Sequence, residues 1–358
     1  MEARDAGREP WGLWGSYLSD RQWGTVREDY SADGDAWNFF THEQARSRVY
    51  RWGEDGLLGI SDSDGRLCFA PAFWNGNDRM LKERPFGLSN PQGNHGEDLK
   101  DYFYHLDNTP THSFMRGLYK YPQAAFPYDQ LVEENGRRPR TEPEYELVDT
   151  GIFNESRYFD IFIEYAKEGP EDIGIRIRAI NRVPDPAPLT VLPTLWFRNT
   201  WSWGEEGATK PEMHLAPHGN AIIAHPWGLP EYHLYCDAAD EFVFTDNETN
   251  AQRLFGAKNP AEYLKDGFHD YLISGTTDAV NPAHCGTKAA PVYRKTLAAG
   301  EEWTIRLRLC RPPKPEAFGE AFDELFHQRE QECSEFYEQR APGMPAELAL
   351  VHRSALAG

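Results

Sequence analysis

Residues 157–180 read RYFDIFIEYAKEGPEDIGIRIRAI. Side chains of an extended segment alternate between two faces. Phe159, Ile161, Ile163 and Tyr165 therefore share one side of the first half, and Ile173, Ile175 and Ile177 share one side of the second. Gly169-Pro170 between the halves is a turn signal, so the stretch reads as an antiparallel hairpin with one buried face. Toward the N-terminus, a Ser61-Asp62-Ser63-Asp64-Gly65 turn joins strand-like residues 56–60 to 66–74. Asn108-Thr109-Pro110 likewise joins 101–106 to 111–119. Toward the C-terminus, 189–197 repeats the alternation with Pro193 inside it, which predicts a strand near a sheet edge or at a bulge, because proline cannot donate to a ladder. Residues 232–235, 241–245, 292–297 and 303–309 continue the pattern. In the last of these Trp303, Ile305, Leu307 and Leu309 face one way and Thr304, Arg306 and Arg308 the other. A short helix is expected near 259–265. Many short strands at this spacing predict an all-β fold, a large antiparallel sandwich.

The character changes at Arg311-Pro312-Pro313-Lys314-Pro315, which stops the last strand and makes a semi-rigid spacer. Beyond it Phe318, Phe322, Leu325, Phe326, Cys333, Phe336 and Tyr337 recur near a period of 3.6, the mark of an amphipathic helix over 316–340. Pro342-Gly343-Met344-Pro345 ends that helix, and 346–358 is a second helix-forming stretch that reaches no cap and reads as a cut element.

The chain has 358 residues and a formal net charge of -20. That length allows one large β domain or two ordinary ones. The acidic balance argues against a nucleic-acid partner, which needs a basic stripe to displace counterions. No apolar run approaches the roughly 18–20 residues of a membrane span. Residues 1–10 are charged and lack an apolar signal core, so a cytoplasmic location is the expectation. The five cysteines are widely spaced with no C-x-x-C pair, and read as reduced, mostly buried thiols. Among the twelve histidines, His95, His105 and His112 lack ligand spacing, and phosphate-cradling glycine motifs are absent, so neither metal nor cofactor is expected.

Two stretches have no period and an unusual mixture of side chains. Residues 20–30 hold Arg21, Gln22, Trp23, Arg27, Glu28, Asp29 and Tyr30, and residues 90–98 hold Gln92, Asn94, His95, Glu97 and Asp98 among turn formers. Together they suggest a polar, aromatic-walled surface carried by loops. Adjacent carboxylates on an extended segment point opposite ways, so Glu28-Asp29 and Glu97-Asp98 each offer one carboxylate to a site. Loop ion pairs with Arg21, Arg27 or Lys100 are the alternative for these acids. Trp201 and Trp203 follow a strand into a loop, where an exposed indole suits stacking on a sugar ring, while Trp196 alternates within the strand and reads as structural.

Several motifs carry a resemblance: WGTVREDYS at 23–31, ARS at 45–47, YRWGEDG at 50–56, WNG at 74–76, KER at 82–84, GNHGED at 93–98, TPTHS at 109–113 and TLWFRNTWSWG at 194–204. Over essentially the whole chain they resemble the N-terminal region of bacterial proteins of glycoside hydrolase family 63, which includes processing α-glucosidases and mannosylglycerate hydrolases. The resemblance implies a β-supersandwich over 1–312, a spacer and linker helix over 313–345, and over 346–358 the truncated first helix of an (α/α)6 catalytic barrel. It implies an inverting hydrolase acting on an α-glucoside or a related small glycoside, whose acid and base carboxylates belong to the barrel. No position of this chain is assigned a catalytic role, and the chain alone is expected to be inactive. Trp23, Arg27, Glu28, Asp29, His95, Glu97, Trp201 and Trp203 are the expected substrate-lining residues, and the partners are a carbohydrate and the chain's own barrel. The alternatives are a stand-alone carbohydrate-binding or structural β-sandwich, and a complete enzyme using Glu28 and Glu97.

Overall fold

The alternation in 157–180 forms the expected hairpin, with Ile163 opposite Ile177 and Tyr165 opposite Ile175. The computed structural model describes residues 7, 9–24, 41–88, 92–96, 98–182, 185–204, 209–228, 230–314 and 316–358. Two large antiparallel sheets account for most strands. The smaller has six, in the spatial order β1 (Trp14–Gly15), β2 (Ile60–Asp62), β3 (Leu67–Trp74), β10 (Ala187–Phe197), β16 (Lys288–Leu297) and β14 (Glu241–Thr245). The larger has nine, in the order β15 (Cys285–Gly286), β11 (Glu212–Leu215), β12 (Ala221–His225), β13 (Tyr232–Cys236), β17 (Glu302–Cys310), β9 (Asp172–Asn181), β8 (Tyr158–Gly169), β7 (Phe114–Pro122) and β6 (Phe103–Asn108). A small ribbon pairs β4 (Gly87–Leu88) with β5 (Asp98–Leu99). The fold is an all-β sandwich with helices at its C-terminal end.

The period-2 residues of both sheets meet in one apolar cluster. Phe69, Val191, Leu195 and Tyr293 from the smaller sheet share it with Ile161, Ile163, Ile175, Ile177, Ile305 and Leu307 from the larger. Each such aliphatic side chain contributes about 1.5–3 kcal/mol when fully buried. β10 is buried on its second face too, where Leu192 and Trp196 lie under loops and a helix. Its near-continuous apolar sequence has that cause.

Pro193 lies in the centre of a sheet, which corrects the edge or bulge expectation: β10 has β3 on one side and β16 on the other. Pro193 sits opposite Pro71, and the ladder to β16 is interrupted between Val191↔Tyr293 and Leu195↔Ala289, the gap that contains Pro291. The register on either side of the gap puts Pro193 opposite Pro291, and the ladder is missing there because neither proline has an N–H to donate.

The helix expected near 259–265 is absent from those residues. Helices instead flank them, at Ala251–Phe255 and Gly267–Ile273. Asn250 caps the first through its side chain, which accepts from the Arg253 N–H, and Gly256 ends it in the left-handed conformation.

The amphipathic stretch is helical over Glu320–Arg340, and Ala346–Ala357 follows as a second helix. Phe322, Leu325 and Phe326 of the first press on Phe114 and Ala166 of the larger sheet. Gly174 admits them: a Cβ there would meet Phe326 Cε2 at 3.0 Å and Phe322 Cε2 at 3.2 Å. Among the described residues, no helix is long and apolar enough to cross a membrane.

Candidate functional site

Two helices and the loops beside them form a cleft. Thr41 and Gln44 form a capping box, with Thr41 Oγ1 accepting from the Gln44 N–H at 3.2 Å and the Gln44 side chain accepting from the Thr41 N–H at 3.1 Å. This starts helix α1 (His42–Ala45) and places His42 in its first turn. Opposite lies helix α2 (Tyr128–Arg137). Between them opens a cleft of about 330 Å³ whose lining includes Trp23, His42, Phe86 and Tyr128, with Glu43, Arg79, Gln92, Asp129 and Glu133 among its polar members. That volume is at the lower end for a small-molecule site, roughly 300–1,000 Å³.

The aromatic side of the cleft is ordered by edge contacts. The His42 ring meets Trp23 at 5.3 Å and Phe86 at 5.2 Å, both T-shaped, and stacks on Tyr128 at 5.8 Å. Tyr128 donates its hydroxyl to Asp78 at 3.1 Å. Arg79 crosses the Tyr128 ring and holds Asp129 through two hydrogen bonds of 2.8 and 2.7 Å. Burial, and then the charges of Lys82, Arg84 and Arg46, hold the His42 imidazole well below its ordinary pKa. It is therefore neutral at pH 7, one nitrogen a donor and the other an acceptor. Both ring nitrogens are buried, and the Arg84 backbone is within hydrogen-bonding reach of the ring.

Beside the cleft lies a buried layer of charge. Arg84 Nε reaches Asp55 at 2.9 Å, the Tyr50 hydroxyl donates to the same carboxylate at 3.0 Å, Lys288 reaches Glu83 at 2.6 Å and Lys82 reaches Asp101 at 3.1 Å. Lys265 donates to the carbonyls of Arg48 at 2.6 Å and Ala45 at 3.2 Å, which ties down the end of α1. A cavity of about 30 Å³ within this layer is lined by Glu54, Glu83, Arg84, Lys265 and Trp196. Burial pushes the Glu54 carboxyl up to about 7, although Lys265 pulls it back, and burial pushes Lys265 down to about 8. Shifts of this kind often mark reacting groups. Here the space admits a water and no sugar. The layer is a rigid support for the loops above it.

The expected site residues divide. Trp23 lines the cleft and is buried. His95 is exposed and donates its ring N–H to the Glu142 carbonyl at 2.8 Å, which fixes the loop whose Gln92 borders the cleft. Arg27, Glu28, Asp29 and Glu97 lie outside the described residues. Trp201 and Trp203 line no part of the cleft. Trp201 is half-buried and donates its indole N–H to Glu248, while Trp203 lies under the guanidinium groups of Arg198 and Arg51 at 5.1 and 5.6 Å. Phe86, Tyr128 and His42 were not among the expected residues. The Thr41-x-x-Gln44 capping box was the one local signal that could have pointed to His42.

Asp98, Glu144 and Glu146 are spaced closely enough to hold a metal ion. Lys100 Nζ occupies the place an ion would take, at 2.7, 2.8 and 3.0 Å from the three carboxylates.

No protein-family model matches the chain, so the family 63 resemblance rests on its motifs alone. The chain is similar to uncharacterized protein YMR196W of Saccharomyces cerevisiae, at 43% identity over 393 aligned residues. The match covers 97% of this chain and 36% of that protein, so the chain spans about a third of the length of the curated relative it matches. Among solved structures it is similar to a galactose mutarotase related enzyme from Lactobacillus acidophilus, at 8% identity and a TM-score of 0.28, covering 71% of this chain and 90% of that one. A likeness of that size says nothing about individual residues here.

Proposed function

We propose that this chain is the carbohydrate-contacting β-sandwich domain of a glucosidase-like, inverting glycoside hydrolase, and that the cleft between α1 and α2 contributes to its sugar site. The observation that carries the reading is the meeting of the two aperiodic polar stretches: Trp23 of the first and Gln92 of the second border one cleft, with His42, Phe86 and Tyr128 completing its aromatic side. Aromatic faces beside amide, hydroxyl and carboxylate groups suit a ring whose C–H faces are apolar and whose edge is polar. The acid and base of hydrolysis belong, on this reading, to an (α/α)6 barrel that follows in the longer protein. The last helix fits such a neighbour, because Leu348, Leu350, Val351 and Leu356 are exposed on it. Free, mostly buried cysteines fit a cytoplasmic setting.

The test has two parts. The 358-residue chain is titrated with methyl α-D-glucopyranoside and maltose by NMR, and both the chain and a longer protein containing it are assayed on aryl α-glucosides. Binding by the chain, with turnover only in the longer protein, is expected. Absence of saccharide binding, together with no turnover by the longer protein, overturns the reading.

A further inference from the structure

We infer that His269 is a positioning residue of the cleft: its neutral ring latches α1 in place, and its protonation releases the latch and weakens sugar binding. The inference rests on the sugar-site reading above and adds its regulation. His269 lies in the helix Gly267–Ile273 and is buried, 5% exposed. Its Nε2 has two neighbours, Nη1 of Arg46 at 2.8 Å and the Arg79 carbonyl at 3.2 Å. A guanidinium only donates and a carbonyl only accepts, so one ring nitrogen cannot serve both at once. Against Arg46, Nε2 is the accepting nitrogen, which puts the ring proton on Nδ1, beside Asp270 Oδ1 at 3.5 Å. A doubly protonated ring has donors only. It can donate to the Arg79 carbonyl, and it repels Arg46. Each protonation state of the ring has a partner already in place.

Both partners lead to the cleft. Arg46 ends α1, and its Nη2 reaches Glu43 of the lining at 3.4 Å. Arg79 lines the cleft itself, and its guanidinium holds Asp129 of α2. One buried ring therefore stands behind both helices. The charged groups around the contact are Arg46 and Glu43 from α1, Arg79, Asp266 and Asp270 from the ring's own helix and its cap, and Arg253, which pairs with both aspartates. Burial would raise the Asp270 carboxyl, but hydrogen bonds with His269 and Arg253 hold it below its ordinary range, so it stays ionised while the ring titrates. Lys265 also ties the end of α1, through the Ala45 carbonyl at 3.2 Å, and burial pushes it down to about 8. Its hold weakens as pH rises, whereas protonation of His269 weakens the hold as pH falls, so the two effects have opposite signs. Glu54, pushed up to about 7 by burial, gains charge near Lys265 as pH rises, and only a variant of His269 separates its effect from the ring's.

The experiment follows the chain by NMR from about pH 7 down to about pH 5, within the range in which histidines change charge. It reads the His269 ring signals, the backbone amides of Thr41, Gln44 and Ala45, and the affinity for maltose. The α1 amides are expected to shift in step with the His269 titration, and the affinity to fall about fivefold or more toward the acid end. His269→Gln keeps an acceptor for Arg46 and has no proton to gain. Whatever its affinity, its profile should lose that acid fall. Arg46→Met leaves the protonated ring nothing to expel, and should hold the affinity near its acid value throughout. Near-UV circular dichroism checks the packing of both variants; if either does not fold, the ring signals and α1 amides of the unaltered chain still decide. Amides that ignore the His269 titration, or a profile unchanged in His269→Gln, overturn the inference while leaving a sugar site in place. If no saccharide binds at any pH while α1 still follows His269, the sugar-site reading falls and the latch stands.

Discussion

Trp201 donates its indole N–H to Glu248 Oε1 at 2.7 Å, and Asn199 Nδ2 reaches the other oxygen of the same buried carboxylate at 2.9 Å. The indole is held by the sandwich, packed against the main core. Trp201→Phe should therefore cost about 1–3 kcal/mol of stability, since one carboxylate oxygen loses its donor. Sugar affinity should stay unchanged. Urea unfolding and sugar titration of the same preparation check both; an unchanged midpoint with weakened binding would restore Trp201 to the site.

Gly174 sets how closely the helix Glu320–Arg340 approaches β9. A larger side chain would have to displace Phe326 and Phe322, the two rings nearest its Cβ position. Gly174→Leu should destabilise by about 1–3 kcal/mol, the usual cost of overpacking. Amide exchange should speed up over 320–340 while the β8–β9 hairpin holds its protection. Uniform loss of protection in both would show that the helix and the sandwich unfold as one unit.

Lys167 is buried and donates to the carbonyl of Trp11 at 2.8 Å, with the carbonyls of Trp14 and Thr111 also in reach. Burial pushes its ammonium down to about 7. The unfolded chain, with an ordinary lysine near 10.4, then binds more protons between the two values. Stability from this group is lowest below pH 7, rises with pH across the window, and is fully gained near pH 10, with a slope of up to about 1.4 kcal/mol per unit. Lys167→Met should remove that slope whatever it does to absolute stability. Denaturant midpoints from pH 7 to 10 for both proteins measure the difference, and parallel curves would contradict it.

The final helix, Ala346–Ala357, is tied to the sandwich mainly at one side, by Arg353 with Asp107 and by Asn108 Nδ2 with the Ala357 carbonyl at 3.4 Å. Its leucines at 348, 350 and 356 are exposed. In the 358-residue chain this helix should exchange its amides much faster than the Ile161–Ile177 pairing region, and in a longer protein that continues past it the exchange should slow at least tenfold. Equal rates in the two settings would mean that nothing covers the helix.

Much of the secondary structure was legible because it is local. Phe159, Ile161 and Ile163 declare a strand through their alternation, and Phe322, Leu325 and Phe326 declare a helix through their spacing. The candidate site was legible only in part. Trp23 and the loop holding His95 and Gln92 stood out because their composition fits neither period. His42 did not, since a single histidine in a capped turn has no periodic signature of its own.

The sequence by itself determined the all-β character, the 157–180 hairpin and the amphipathic C-terminal helix, because side-chain direction repeats every two or 3.6 residues whatever the rest of the chain does. The tertiary structure alone decided which strands are neighbours. It put Pro193 in mid-sheet by aligning it with Pro71, which lies far away in sequence. It also decided which residues share the cleft, where Trp23, His42, Phe86 and Tyr128 come from four separate segments. Burial depends on what the whole chain places on top of a residue, and that long-range sum leaves no mark in the few residues on either side of it.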